Sequence, residues 1–156
     1  MLEAFYATER GSLEDATING GFDLHPELVW IDLIAPSQEE QQWVIDAYEQ
    51  NLPTLKSLED ISSSARFYRD DDGILHISTY FLTKNKNYQV DNESDEQDHM
   101  LATVQTVAFI LNKQRLLTLR GEKLVSFRAF RARARRNDYD VDYKDPVWIL
   151  LGLFEA

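Results

Sequence analysis

The sequence predicts an α/β domain built in layers around a mixed parallel and antiparallel sheet. Three observations carry that reading. Strand-like and helix-like periods alternate along 156 residues, a length suited to one domain. Two pairs of strand patterns are joined by tight turns, and a hairpin makes its strands antiparallel. One run, Leu28–Ile34, is apolar almost throughout and bounded by Pro26 and Pro36, as expected of a buried strand.

Taken in order, Leu2–Ala7 alternates weakly and reads as an edge strand. Asn19-Gly20-Gly21 marks a turn. After the buried strand, Pro36-Ser37-Gln38-Glu39-Glu40 opens a helix. Ser37 and Glu40 have the spacing of a capping box, and Trp43, Val44, Ala47 and Tyr48 form one apolar stripe that ends before Asn51 and Pro53. Residues 54–63 read as a second, short helix. Leu55, Leu58, Ile61 and Ala65 share one side, Glu59 lies on the flank and Asp60 points nearly opposite. Residues 66–69 and 74–82 form a hairpin around Asp71-Asp72-Gly73. Residues 84–98 include DNESDEQD, five acids and no base, and read as a mobile loop. A second hairpin joins 101–111 to 114–119 through Asn112-Lys113, and Gly121 ends it.

Residues 123–136 then form a basic helix with Leu124, Phe127, Phe130 and Ala134 on its apolar side. Residues 137–144 make an acidic linker. Asp145-Pro146 starts a last helix, with proline at the first helical position. That segment is apolar on all sides apart from Gly152, so burial on every side is expected, by a continuation of the same helix or by a partner.

Composition narrows the function. Forty-four per cent of the residues are hydrophobic, enough for a packed core. The absence of cysteine excludes disulfides and thiolate metal sites. A net charge of -11 repels nucleic acid and anionic membranes and attracts cations. No run of about 18 apolar residues is present to span a membrane. The start, Met-Leu-Glu-Ala-Phe, has neither the basic region nor the apolar run of a signal peptide.

Motifs for chemistry are sparse. His25, His76 and His99 are far apart, and there is no nucleophile elbow, phosphate-binding glycine loop or His-Glu-x-x-His, so no enzyme is expected. Asp138, Asp140 and Asp142 mimic the start of a calcium loop, but Tyr143 and Ile149 stand where glycine and glutamate are required. Eight of the sixteen basic residues lie between 115 and 136 with one acid, Glu122. They surround the helix, so they are expected to pair with the chain's carboxylates rather than bind nucleic acid. Glu59-Asp60 is a further candidate. Magnesium keeps several waters and needs only one or two carboxylates from each chain when a second chain supplies another.

Five blocks, in order and at consistent spacing, carry a resemblance: Val29-Trp30-Ile31-Asp32-Leu33; Leu58-Glu59-Asp60-Ile61; Ser64-Ala65-Arg66-Phe67 with Asp70-Asp71-Asp72-Gly73; Leu117-Thr118-Leu119-Arg120; and the run 127–136. Together they resemble the cytoplasmic domain of the bacterial CorA family of magnesium/cobalt transporters. The likeness spans about residues 28–154. It implies a three-layer α/β/α cytoplasmic domain at 1–145, and at 146–156 the start of a truncated helix leading to a missing stalk. It implies a homopentamer of identical subunits at the inner membrane, this domain lying on the cytoplasmic side. Mg2+ is the implied ion, with Co2+ or another divalent cation as alternatives, bound between neighbouring domains. Asp60 and Glu59 are the implied ligands, completed by an acid from the adjacent stalk.

The sequence departs from the family by lacking stalk, membrane helices and the Gly-Met-Asn pore motif, so these residues by themselves form no pore. The function expected is that of a metal-sensing regulatory domain whose bound ions favour the closed pore. The alternative is a small acidic binding module that offers the arginine-rich helix 123–136 to an anionic partner.

Overall fold

The computed structural model describes residues 1–60, 66–84 and 102–156. The elements are β1 (Leu2–Ala7), β2 (Leu13–Ala16), a 3-10 turn (Gly21–Asp23), β3 (Leu28–Ile34), α1 (Gln38–Tyr48), α2 (Leu55–Glu59), β4 (Phe67–Arg69), β5 (Leu75–Lys84), β6 (Ala102–Leu111), β7 (Leu116–Arg120), α3 (Val125–Arg136) and α4 (Pro146–Glu155). The strands form one sheet in the order β2-β1-β3-β7-β6-β5-β4. Among the described residues only β3 and β7 pair in parallel; the other pairings are antiparallel. The sheet is therefore mixed, as predicted.

Side chains alternate across a strand, so each strand feeds two cores. On one face, Ile31, Leu33, Ala108, Ile110, Leu117 and Leu119 pack with Val44 of α1 and Leu58 of α2. On the other, Phe5, Trp30, Val107, Phe109 and Leu116 pack with Phe127, Phe130 and Ala134 of α3 and with Ile149, Leu150 and Leu153 of α4. Helices cover both faces, which gives the three layers. All seven residues of β3 are buried, as a strand covered on both sides requires. Its Asp32 is also buried, and the sequence shows why that is tolerated: an arginine ends the neighbouring apolar strand.

Local signals held closely. The Ser37 hydroxyl accepts from the Glu40 amide at 3.1 Å and the Glu40 carboxylate accepts from the Ser37 amide at 3.0 Å, the capping box at the start of α1. Glu40 also takes the Met1 ammonium at 3.1 Å. Burial pushes its pKa up, but the Ser37 amide and that ammonium outweigh it and leave the net value low. The Asp145 side chain caps α4 through the Val147 amide, with Pro146 at the first position. Gly73 turns the β4–β5 hairpin at φ 80°, a conformation that favours glycine.

One expectation is corrected. β1 is not an edge strand, because β2 pairs outside it through Ala4↔Ala16 to Ala7↔Leu13. β2 escapes the eye because Leu13 alone of its four residues is buried and two of the others are acids. The second helix is described only over Leu55–Glu59; residues 61–63 of the predicted span, and Ala65, lie outside the described residues, as do residues 85–98 of the predicted mobile loop and His99. In this chain alone, α4 is covered on one side. Ile149, Leu150 and Leu153 face the core, but Val147, Trp148, Leu151 and Phe154 remain 41–49% exposed. Gly152 faces α3 so closely that a Cβ there would come within 2.3 Å of the Phe130 ring.

Candidate functional site at the end of the second helix

α2 is one turn of helix fixed at few points. Thr54 caps it: the Ser57 amide donates to the Thr54 hydroxyl at 3.0 Å, and the Thr54 amide donates to the Ser57 hydroxyl at 3.1 Å. Leu58 is its one buried residue, 4% exposed in the core beneath α1. Leu55 packs beside it, partly buried, and the two side chains after Leu58 stay outside. Glu59 is the last helical residue, Asp60 the C-cap, and both are exposed. A helix end also leaves carbonyls without intrahelical partners and carries partial negative charge. Two carboxylates thus share one terminus, hard oxygen donors of the kind magnesium and calcium take.

That donor set fits a divalent cation as part of a shell. Among the described residues no three His, Cys, Asp or Glu side chains group closely enough to hold a metal. The remaining positions would fall to water and to a second chain. A surface cleft of about 540 Å³ lies elsewhere, between the β4–β5 and β6–β7 turns; Arg69, Asp72, Gly73, Ile74, Asn112, Lys113 and Gln114 line it. It contains neither Glu59 nor Asp60.

Other polar clusters are structural. Asp32 and Thr118 face each other across the parallel pair β3–β7. Arg120 donates to Asp32 from Nε (3.1 Å to Oδ1) and Nη2 (2.6 Å to Oδ2), the Thr118 hydroxyl donates to Asp32 Oδ1 at 2.7 Å, and the Trp30 indole donates to Thr118 at 3.0 Å. The guanidinium also lies 4.2 Å from the Phe127 ring centre and donates to the Glu122 carbonyl. Asp32 and Arg120 are 0% and 1% exposed, so each charge is compensated almost entirely by the other and by these hydrogen bonds. Sequence reading named both residues without pairing them. The signal was there: one acid and one base in otherwise apolar strands.

His76 bonds through Nε2 to Asp70 Oδ2 at 2.8 Å and stacks on Tyr68 with ring centres 4.6 Å apart. This hydrogen bond, with the amides of Ile74 and Asp72, holds the Asp70 carboxyl below its usual range despite some desolvation. The basic helix meets its expectation in part. Arg131 pairs with Glu3, Arg135 with Asp15 at 2.5 Å and Arg136 with Asp138 at 3.2 Å. The carboxylates of the 137–144 segment also serve turns: Asp142 accepts from the Lys144 amide.

Comparison with known proteins places this geometry. A family model described as CorA-like Mg2+ transporter protein matches residues 26–156. The magnesium transport protein CorA of Escherichia coli strain K12 is 42% identical over 128 residues, covering 82% of this chain and 36% of that protein. CorA of Mannheimia succiniciproducens is 39% identical with the same coverage. CorA of Pasteurella multocida is 37% identical over 167 residues, covering all of this chain and 44% of that protein. The chain thus spans well under half the length of these relatives. The solved structure of full-length CmaX superposes with a TM-score of 0.62 over 98% of this chain and 43% of that one, at 16% identity, a likeness of fold alone.

Proposed function

The chain belongs to the CorA-like Mg2+ transporter family, and from that premise we propose that it is the ion-sensing cytoplasmic domain of a divalent-cation transporter. The observation that carries the proposal is the Glu59-Asp60 pair, held outside on a capped helix turn and pinned by Leu58. No helix among the described residues is long and apolar enough to cross a membrane.

The physics is a balance of like charges. The chain carries -11, and several copies in a ring repel. Two unit charges about 4 Å apart interact by roughly 4 kcal/mol at an effective dielectric near 20. A hydrated Mg2+ between the carboxylates of two subunits reverses that sign, so ions favour the packed ring and a closed pore. When cytoplasmic Mg2+ falls, the sites empty, the ring loosens and the open state gains population. Asp60 is the first ligand in this scheme and Glu59 the second, directly or through water, with Co2+ or another divalent ion able to replace Mg2+.

The test is transport current in the whole protein as cytosolic Mg2+ is raised. Asp60→Ala should need a higher Mg2+ concentration for closure, and Glu59→Ala/Asp60→Ala higher still. Unchanged inhibition by Mg2+ in the double variant would sink the proposal.

A further inference from the structure

Two cations stand without acids at one end of the sheet. β5 and β6 pair from Leu75↔Leu111 onward, so the turn that enters β5 and the turn that leaves β6 lie side by side. The cleft of about 540 Å³ lies between them, with Arg69 on one wall and Lys113 on the other. The chain has 27 acids for 16 bases. Yet among the described residues no carboxylate lies within salt-bridge distance of Arg69 or Lys113.

Both walls are fixed by their own hydrogen bonds. The Asp70 carboxylate accepts from the amides of Asp72 and Ile74, each at 3.0 Å, and is held by His76 at 2.8 Å. Arg69 Nη1 donates to the Gly73 carbonyl at 3.0 Å, which ties the guanidinium to this turn. Across the cleft, Asn112 Oδ1 accepts from the amides of Gln114 and Arg115, each at 2.8 Å, and the Asn112 amide donates to the Arg115 carbonyl at 3.1 Å. The turns keep their shape without help from the groups that line the cleft. The other donors of Arg69, the Lys113 ammonium, the side-chain NH2 of Asn112 and of Gln114 and the Asp72 carboxylate have no partner among the described residues. A ligand meeting such walls orders little on binding.

The lining groups differ in kind, and together they describe one ligand class. A planar guanidinium and an ammonium are the usual pair for phosphate. Ile74, partly buried, adds apolar surface. The amides of Asn112 and Gln114 suit the polar edge of a heterocycle. Asp72 discriminates: it repels a bare phosphate but accepts from sugar hydroxyls, as acidic residues do in nucleotide sites. The volume falls within the range of about 300–1,000 Å³ usual for small-molecule sites.

We propose that this cleft binds a nucleotide, with its phosphates on Arg69 and Lys113, its ribose hydroxyls on Asp72 and its base against Ile74 beside Asn112 and Gln114. The site uses neither Glu59 nor Asp60 and needs no divalent ion. Its test is therefore run in a chelator, where failure leaves the ion-sensing reading standing.

Binding of ATP to the full chain is measured by titration calorimetry in EDTA at low salt. ATP should half-saturate below about 1 mM. Tripolyphosphate and adenosine should each bind at least about tenfold more weakly, since each lacks part of the contacts. Arg69→Ala and Lys113→Glu should each weaken ATP at least about tenfold. Lys113 is exposed and has no partner to lose, so an unchanged melting temperature in Lys113→Glu separates lost binding from lost folding. Asp72→Asn should weaken ATP but not tripolyphosphate. Arg128→Gln/Arg136→Gln, on α3, should leave ATP affinity as it was. No saturation by ATP, or affinity indifferent to Lys113→Glu, would overturn the inference. So would tripolyphosphate binding as tightly as ATP, which reduces the cleft to an anion patch, or ATP binding lost in the α3 variant, which moves the site elsewhere.

Discussion

The two faces of the sheet are built to different standards. Under α3 and α4 the core is aromatic and tightly tied: Trp30 stacks on Phe5 at 4.5 Å and meets Phe127 and Phe130 edge-on or tilted, while Phe109 and Phe81 extend the cluster toward Phe154. Under α1 and α2 the buried core is aliphatic, and α2 is held by the buried Leu58, the partly buried Leu55 and a side-chain cap. Aromatic side chains each bury large areas, so the first face carries more of the stability. The second carries the exposed acids. Under the proposed function this division matters, because the turn bearing the acids could shift without loosening the main core.

Four substitutions break or sharpen that contrast. The largest effect belongs to the aromatic face: Phe130→Ala should cost about 3–5 kcal/mol in denaturant unfolding, because the ring is fully buried against Trp30, Tyr143 and Gly152. Breaking the buried pair comes next. Arg120→Met should cost about 3–5 kcal/mol by stranding Asp32, whereas Asp32→Leu/Arg120→Met should recover most of that loss. A double variant as unstable as the single one would show that the pair does more than satisfy itself.

On the aliphatic face, Leu58→Ala should cost about 2–3 kcal/mol and weaken the Mg2+ response of the whole protein together with it, while Leu58→Met keeps both. Equal loss of stability with an untouched Mg2+ response would separate α2 from sensing. The smallest effect concerns pH. Asp70 has a lowered pKa, so its contribution is complete above the ordinary carboxylate range and disappears as pH falls through the lower folded value. Asp70→Asn should flatten the acid limb of the stability profile and leave its slope near neutrality unchanged, measured by thermal unfolding from pH 7 to pH 3.

Much of the fold was legible because short-range chemistry wrote it. The Ser37/Glu40 box, the Asp145-Pro146 start, Gly73 in its turn and the Leu124-Phe127-Phe130-Ala134 stripe each depend on neighbours within a few residues, and each took its expected form. The candidate ligands Glu59 and Asp60 were named from the order of motifs, and their exposure follows from the helical position of Leu58. β2 was missed because its stability comes from pairing with β1 rather than from its own residues.

What the sequence determined by itself was most of the elements, the apolar stripes of the two longer helices and the acidic turn, since periodicity and capping act along the chain. Tertiary structure decided which strands became neighbours. It placed Asp32 beside Arg120 across 88 positions, and it sent α1 and α3 to opposite faces of the sheet. Such pairings are settled by burying all the apolar surface at once with every buried charge matched, and no local stretch of chain contains that condition.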